Sequence, residues 1–134
     1  MKIPAMTILL IEDNPDHIFL TQQAISATWR DARLTITRDL VEVRALLHSP
    51  DRPDRFDLIL VALDSRHTGR LAELREMQAS SELSAAPIIA LASSTRDQEL
   101  AQVADQPVEW IILKPLRAES LREAMQRRPL PQVD

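Results

Sequence analysis

Glu12 and Asp13 stand side by side near the start of the chain, Asp64 lies close to its middle, and Lys114 is one of only two lysines, the other being Lys2. Adjacent carboxylates are hard oxygen donors and suit a cation such as Mg²⁺, which keeps several of its waters. A lysine brought opposite them either neutralises a bound phosphoryl group or pairs with the acids. In a sequence that otherwise prefers arginine, the compact ammonium at position 114 adds weight to that grouping. Ser93 and Ser94 add small hydroxyls. Each residue also has a plain reading, because acids ahead of a helix are favoured by its dipole and a lysine after a strand is often just solvated. Their meaning depends on whether the chain brings them together.

The elements that would do so alternate regularly. Apolar runs at Thr7–Ile11, Leu34–Thr37, Leu58–Leu63, Ile88–Ala92 and Val108–Leu113 read as strands. Four of them are almost unbroken in apolar residues, as expected for strands covered on both faces. The second, Leu-Thr-Ile-Thr, alternates and fits an edge position. Asn14 caps a first helix with Pro15 at its first position and Asp16 in its first turn. Asp39 with Glu42, and Ser94 with Asp97, read as capping boxes for a second and a fourth helix. A third helix is expected over about Arg70–Ser80 and a fifth over Ala118–Arg128, with Leu71, Leu74, Met77, Leu121 and Met125 inward. Ser49–Arg55 and Ser81–Pro87 read as surface loops.

Strict strand–helix alternation with right-handed crossovers predicts a flavodoxin-like (βα)5 three-layer sandwich, its parallel five-stranded sheet in the order 2-1-3-4-5. Function in such sheets collects beyond the carboxyl ends of the strands, where the strand order reverses. Those ends carry Glu12, Asp13 and Asn14; Ala62, Leu63 and Asp64; Ala92, Ser93 and Ser94; and Lys114 with Pro115. The chemistry-bearing residues should therefore meet in one crevice.

Composition narrows the function classes. The 134 residues suit one domain, over 1–128, with 129–134 as a tail or linker stub. There is no cysteine, which excludes disulfides and thiolate metal sites. No apolar run is long enough to span a membrane, and the first ten residues make a poor signal peptide, so a cytoplasmic location is expected. A net charge of -4 leaves no basic footprint for nucleic acid. A flavodoxin-like nucleotide binder fits badly, because Glu12–Asp16 is acidic and lacks the glycine and hydroxyl residues that cradle phosphate.

Four segments, Ile8–Pro15, Asp57–Ala62, Pro87–Ala92 and Ile112–Pro115, taken in order, resemble bacterial response-regulator receiver domains over nearly the whole chain. The Glu-Asp-Asn-Pro-Asp opening is most similar to small stand-alone receivers. The resemblance implies that Glu12 and Asp13 match the acids that help hold Mg²⁺, and that Lys114 matches the family's lysine, ahead of a cis proline. An aspartate at the end of the third strand would take a phosphoryl group from a histidine kinase. A hydroxyl ending the fourth strand and an aromatic on the fifth would relay the change.

Here the acceptor position is Ala62, the hydroxyl position is Ala92, followed by Ser93, and the aromatic position is Ile111, with Trp110 one residue earlier on the opposite strand face. A methyl group neither attacks phosphorus nor binds a cation. The expectation is a degenerate receiver that is not an enzyme, has no cofactor and binds Mg²⁺ weakly at most through Glu12 and Asp13. Lys114 should then pair with Glu12 or Asp13. Such a chain would act as a phosphorylation-independent protein-interaction module in two-component signalling. Its partner would be a histidine kinase, an output protein, or a second copy meeting it through the face of the fourth helix, fifth strand and fifth helix. The alternative is a phosphorylatable receiver using Asp64 as a displaced acceptor, although an extended chain carries Asp64 about 6–7 Å beyond position 62.

His17, in the first helical turn, and His67, in the loop after the third strand, stand where they could face the pocket mouth as metal ligands, but with His48 they are read as exposed polar side chains. With Thr21, Ala24, Ile25 and Thr28 inward, Phe19 falls on the solvent face of the first helix as a candidate partner contact. Trp110 is divided between partner contact and core packing.

Overall fold

The computed structural model describes residues 6–53, 55–63, 70–81, 83, 85–94 and 110–127, with the side chains of 70–72 and 127 left aside. Five strands, β1 (Thr7–Ile11), β2 (Arg33–Thr37), β3 (Leu58–Leu63), β4 (Ile88–Ala92) and β5 (Trp110–Leu113), form one parallel sheet in the order β2-β1-β3-β4-β5. The helices are α1 (Pro15–Thr28), α2 (Leu40–Leu47), α3 (Arg70–Ala79) and a C-terminal helix, Ala118–Arg127. The expected fold and strand order are both present. The expected fourth helix, beginning at Ser94, falls outside the described residues, as do 108–109 at the start of the fifth strand. β2 starts one residue earlier than expected because the Arg33 N–H donates to the Met6 carbonyl at 2.7 Å and draws Arg33 into register with Thr7.

The side-chain period of two divides the central strands between two apolar layers. Leu9, Ile11, Ile59 and Val61 pack with Val43 of α2 and with Leu74 and Met77 of α3. Ile8, Leu10, Leu58, Leu60, Leu91 and Ile112 pack with Ala24 and Ile25 of α1 and with Leu121 and Ala124 of the C-terminal helix. All six residues of β3 are buried, which accounts for its unbroken apolar sequence. β2 is an edge strand with Arg33 and Ile36 exposed, while Thr37 is buried and its hydroxyl donates to the Leu10 carbonyl at 3.3 Å. None of the described helices is long and apolar enough to cross a membrane.

The helix starts follow their caps. The Asn14 side chain accepts from the Asp16 and His17 N–H groups, fixing the phase of α1. At α2 the Asp39 side chain accepts from the Glu42 N–H at 3.0 Å, but Glu42 does not return the bond to the cap residue. Its carboxylate reaches one residue further back, to the N–H of Arg38 at 2.9 Å and to its Nε at 2.8 Å, so the capping box is offset. The Arg38 guanidinium holds the Glu42 carboxyl below its ordinary value through this hydrogen bond. A lowered carboxyl contributes stability above its unfolded value and loses it as pH falls through the native one. In Arg38→Gln, NMR titration of Glu42 should show an upward shift that stops short of the ordinary value, because the backbone N–H at 38 remains.

Candidate functional site

The strand order reverses between β1 and β3, so the crevice lies at the carboxyl ends of these strands, β4 and β5. One hydrogen bond beyond the ends of β1, β4 and β5 holds the site residues there in line with the sheet. The Glu12 N–H donates to Thr37 at 2.9 Å, that of Ser93 to Leu63 at 3.2 Å and that of Lys114 to Ala92 at 2.8 Å, in each case to the carbonyl. Strand alternation then puts Glu12, Ala62 and Lys114 on the sheet face covered by α1 and the C-terminal helix. The Lys114–Pro115 peptide bond is cis.

The Lys114 ammonium bonds the Oε1 atom of Glu12, so of the two expected partners Glu12 is the one engaged. Glu12 is 2% exposed. Its Oε2 accepts the N–H groups of Asp13 at 3.1 Å and Asn14 at 3.4 Å, at the mouth of α1. The carboxylate thus has charge-assisted or backbone donors on both oxygens, the condition under which a buried charge is tolerated. Asp13, by contrast, is exposed. β1 and β5 are not neighbours, and β3 and β4 lie between them, so this ion pair bridges two intervening strands. Ala62, the penultimate residue of β3 and 2% exposed, puts a methyl group on the same sheet face. Ala92 is likewise buried, and Ser93 and Ser94 are exposed.

His17 corrects the sequence reading. It is half-buried rather than displayed to solvent, and its Nδ1 lies 3.0 Å from the Lys114 Nζ. The same atom is 3.5 Å from Glu12 Oε1, the outer limit for a hydrogen bond, so the lysine contact is the stronger. An ammonium only donates, which makes Nδ1 the acceptor and places the ring proton on Nε2. The signal was available: His17 stands four residues before Thr21, on the inward stripe that continues to Ala24 and Ile25. His48 is exposed at the end of α2. Asp64 and His67 lie outside the described residues. Trp110 is half-buried and packs with the α1-side core, whereas Ile111 packs with the opposite layer. Phe19 is exposed on α1, as expected.

No family model matches the chain. A curated relative, the probable methanogenesis regulatory protein FilR2 of Methanothrix harundinacea (strain 6Ac), is 28% identical over 121 residues, covering 89% of this chain and 78% of that protein. Among solved structures, the bacteriophytochrome response regulator AtBRR superposes with a TM-score of 0.81 at 24% identity, over 98% of this chain and 97% of that one. The receiver domain of the sensor histidine kinase PA1611 from Pseudomonas aeruginosa PAO1 gives a TM-score of 0.71 at 24% identity, over 92% and 97% of the two chains. The architecture is therefore that of response-regulator receiver domains.

The PA1611 receiver domain has a magnesium ion coordinated in its active site cleft. The residues described here do not fit such an ion. Both oxygens of Glu12 are already engaged, position 62 offers a methyl in place of a ligand, and no three His, Cys, Asp or Glu side chains cluster as ligands among the described residues.

Proposed function

We propose that this chain is an atypical receiver in two-component signalling, working as a phosphorylation-independent protein-interaction module rather than as an enzyme. One observation carries the reading: Lys114, the cation that would meet a phosphoryl group, is engaged by Glu12, and on the same sheet face β3 carries only the methyl of Ala62. Such a pocket has no carboxylate at position 62 to accept a phosphoryl group, and its positive charge is already neutralised. The losses at Ala92 and Ile111 agree, because neither a hydroxyl nor an aromatic ring stands where a relay would need one. The module works in the cytoplasm and meets a histidine kinase, an output protein or a second copy of itself in one constitutive shape. Phe19 is a candidate contact, exposed on the same helix that carries His17.

Incubation with acetyl phosphate and Mg²⁺, followed by intact-protein mass spectrometry, tests this directly. The expected spectrum shows no one-phosphoryl adduct, and self-association measured by sedimentation is the same with and without the phosphodonor. An adduct on the wild-type chain that disappears in Asp64→Asn would overturn the reading in favour of a displaced acceptor.

A further inference from the structure

Beside the Glu12–Lys114 pair, between α1 and the start of the C-terminal helix, lies a cavity of about 320 Å³ that neither the relay positions nor the ion pair explains. Its size is at the lower end for small-molecule sites. Leu20, Pro115 and Leu116 give it an apolar wall, and His17, Thr21, Ser93 and Lys114 give it polar corners. Leu20, Ser93 and Pro115 are exposed, so that side opens to water.

Thr21 is the telling residue. It is 3% exposed, and among the described residues its hydroxyl meets no hydrogen-bond partner. A buried hydroxyl left in that condition is costly, and it is the kind of group a bound molecule satisfies. The other polar corners are donors as well. Lys114 gives one N–H to Glu12 and one to His17, leaving a third, while His17 keeps its proton on Nε2 and Ser93 carries a hydroxyl. Among the described residues no acid lines the cavity. A described lining of donors that includes an ammonium, beside an apolar wall, is complementary to an anion with an apolar body.

We infer that this cavity binds a small organic monocarboxylate. The carboxylate oxygens accept from Thr21, Lys114 and Ser93, and the hydrocarbon part lies against Leu20, Pro115 and Leu116. Because Glu12 already offsets part of the lysine charge, binding is weak, with a dissociation constant of about 1 mM. The proposal is independent of how the chain meets its protein partner, since the two are read by different measurements.

Titration of the isotope-labelled intact chain with sodium benzoate, followed by amide NMR, provides the test. Saturable shifts should appear at Thr21, Ser93 and Leu116, and the neutral methyl ester should bind about tenfold more weakly, as expected for loss of a charge-assisted hydrogen bond. Thr21→Val should weaken benzoate binding about tenfold without lowering the melting temperature, since the valine leaves no hydroxyl unsatisfied. Leu20→Trp, a change at an exposed position that fills the mouth, should abolish binding in a chain that still folds. Absence of saturable shifts, or equal affinity of wild type and Thr21→Val, would overturn the assignment.

Discussion

Lys114→Met lowers the unfolding free energy by about 3 kcal/mol, the lower end of the range for breaking a buried ion pair. In a domain of this size that corresponds to a fall of roughly 10 °C in melting temperature. The loss arises less from the attraction removed than from the Glu12 carboxylate left behind, which is almost fully enclosed. Two backbone N–H groups, from Asp13 and Asn14, still serve its second oxygen and keep the penalty from rising further. Glu12→Leu combined with Lys114→Met should recover most of the stability, because a matched apolar pair carries no desolvation cost. Chemical denaturation of the three variants measures the coupling. A single lysine variant within about 0.5 kcal/mol of wild type would show that the pair is merely decorative.

Ala62→Asp has the second large effect, and it separates chemistry from signalling. The new carboxylate lands at a buried position whose neighbouring cation is already taken, so stability at neutral pH should drop by about 2 kcal/mol. Burial raises the native titration point of the introduced acid. The deficit is therefore smallest below the ordinary aspartate value of about 3.9 and grows as pH rises through it towards the raised native value. Mg²⁺ should restore part of the loss by mass action, and acetyl phosphate should add one phosphoryl group. The relay stays silent even so, because Ala92 offers no hydroxyl and Ile111 no ring. Analytical ultracentrifugation before and after phosphorylation checks this: a phosphorylation-dependent change in oligomeric state would contradict it.

Much of this arrangement was legible in the residues. The apolar runs gave β1, β3 and β4 with their bounds, since strands covered on both faces need apolar side chains at every position. That register in turn placed Ala62 near the carboxyl end of β3 and Lys114 just past β5. The choice of Glu12 over Asp13 was not legible, because adjacent residues on an extended chain point to opposite faces and composition does not say which face holds the lysine. His17 was underrated for a related reason: a histidine near a helix start was judged by residue type rather than by its spacing from Thr21. At α2 the paired acid signature located the cap correctly, but whether Glu42 would return to Asp39 or to Arg38 depended on a side-chain pairing that sequence spacing does not encode.

Glu12 and Lys114 are 102 positions apart and sit on strands with two others between them. Such a contact closes only after β3 and β4 have been laid between its ends, since its loop-closure entropy must first be met by nearer pairings. An interaction absent from the transition state acts on the rate of leaving the native state and hardly at all on the rate of reaching it. The bridge is therefore a latch fastened last, lending the finished domain durability.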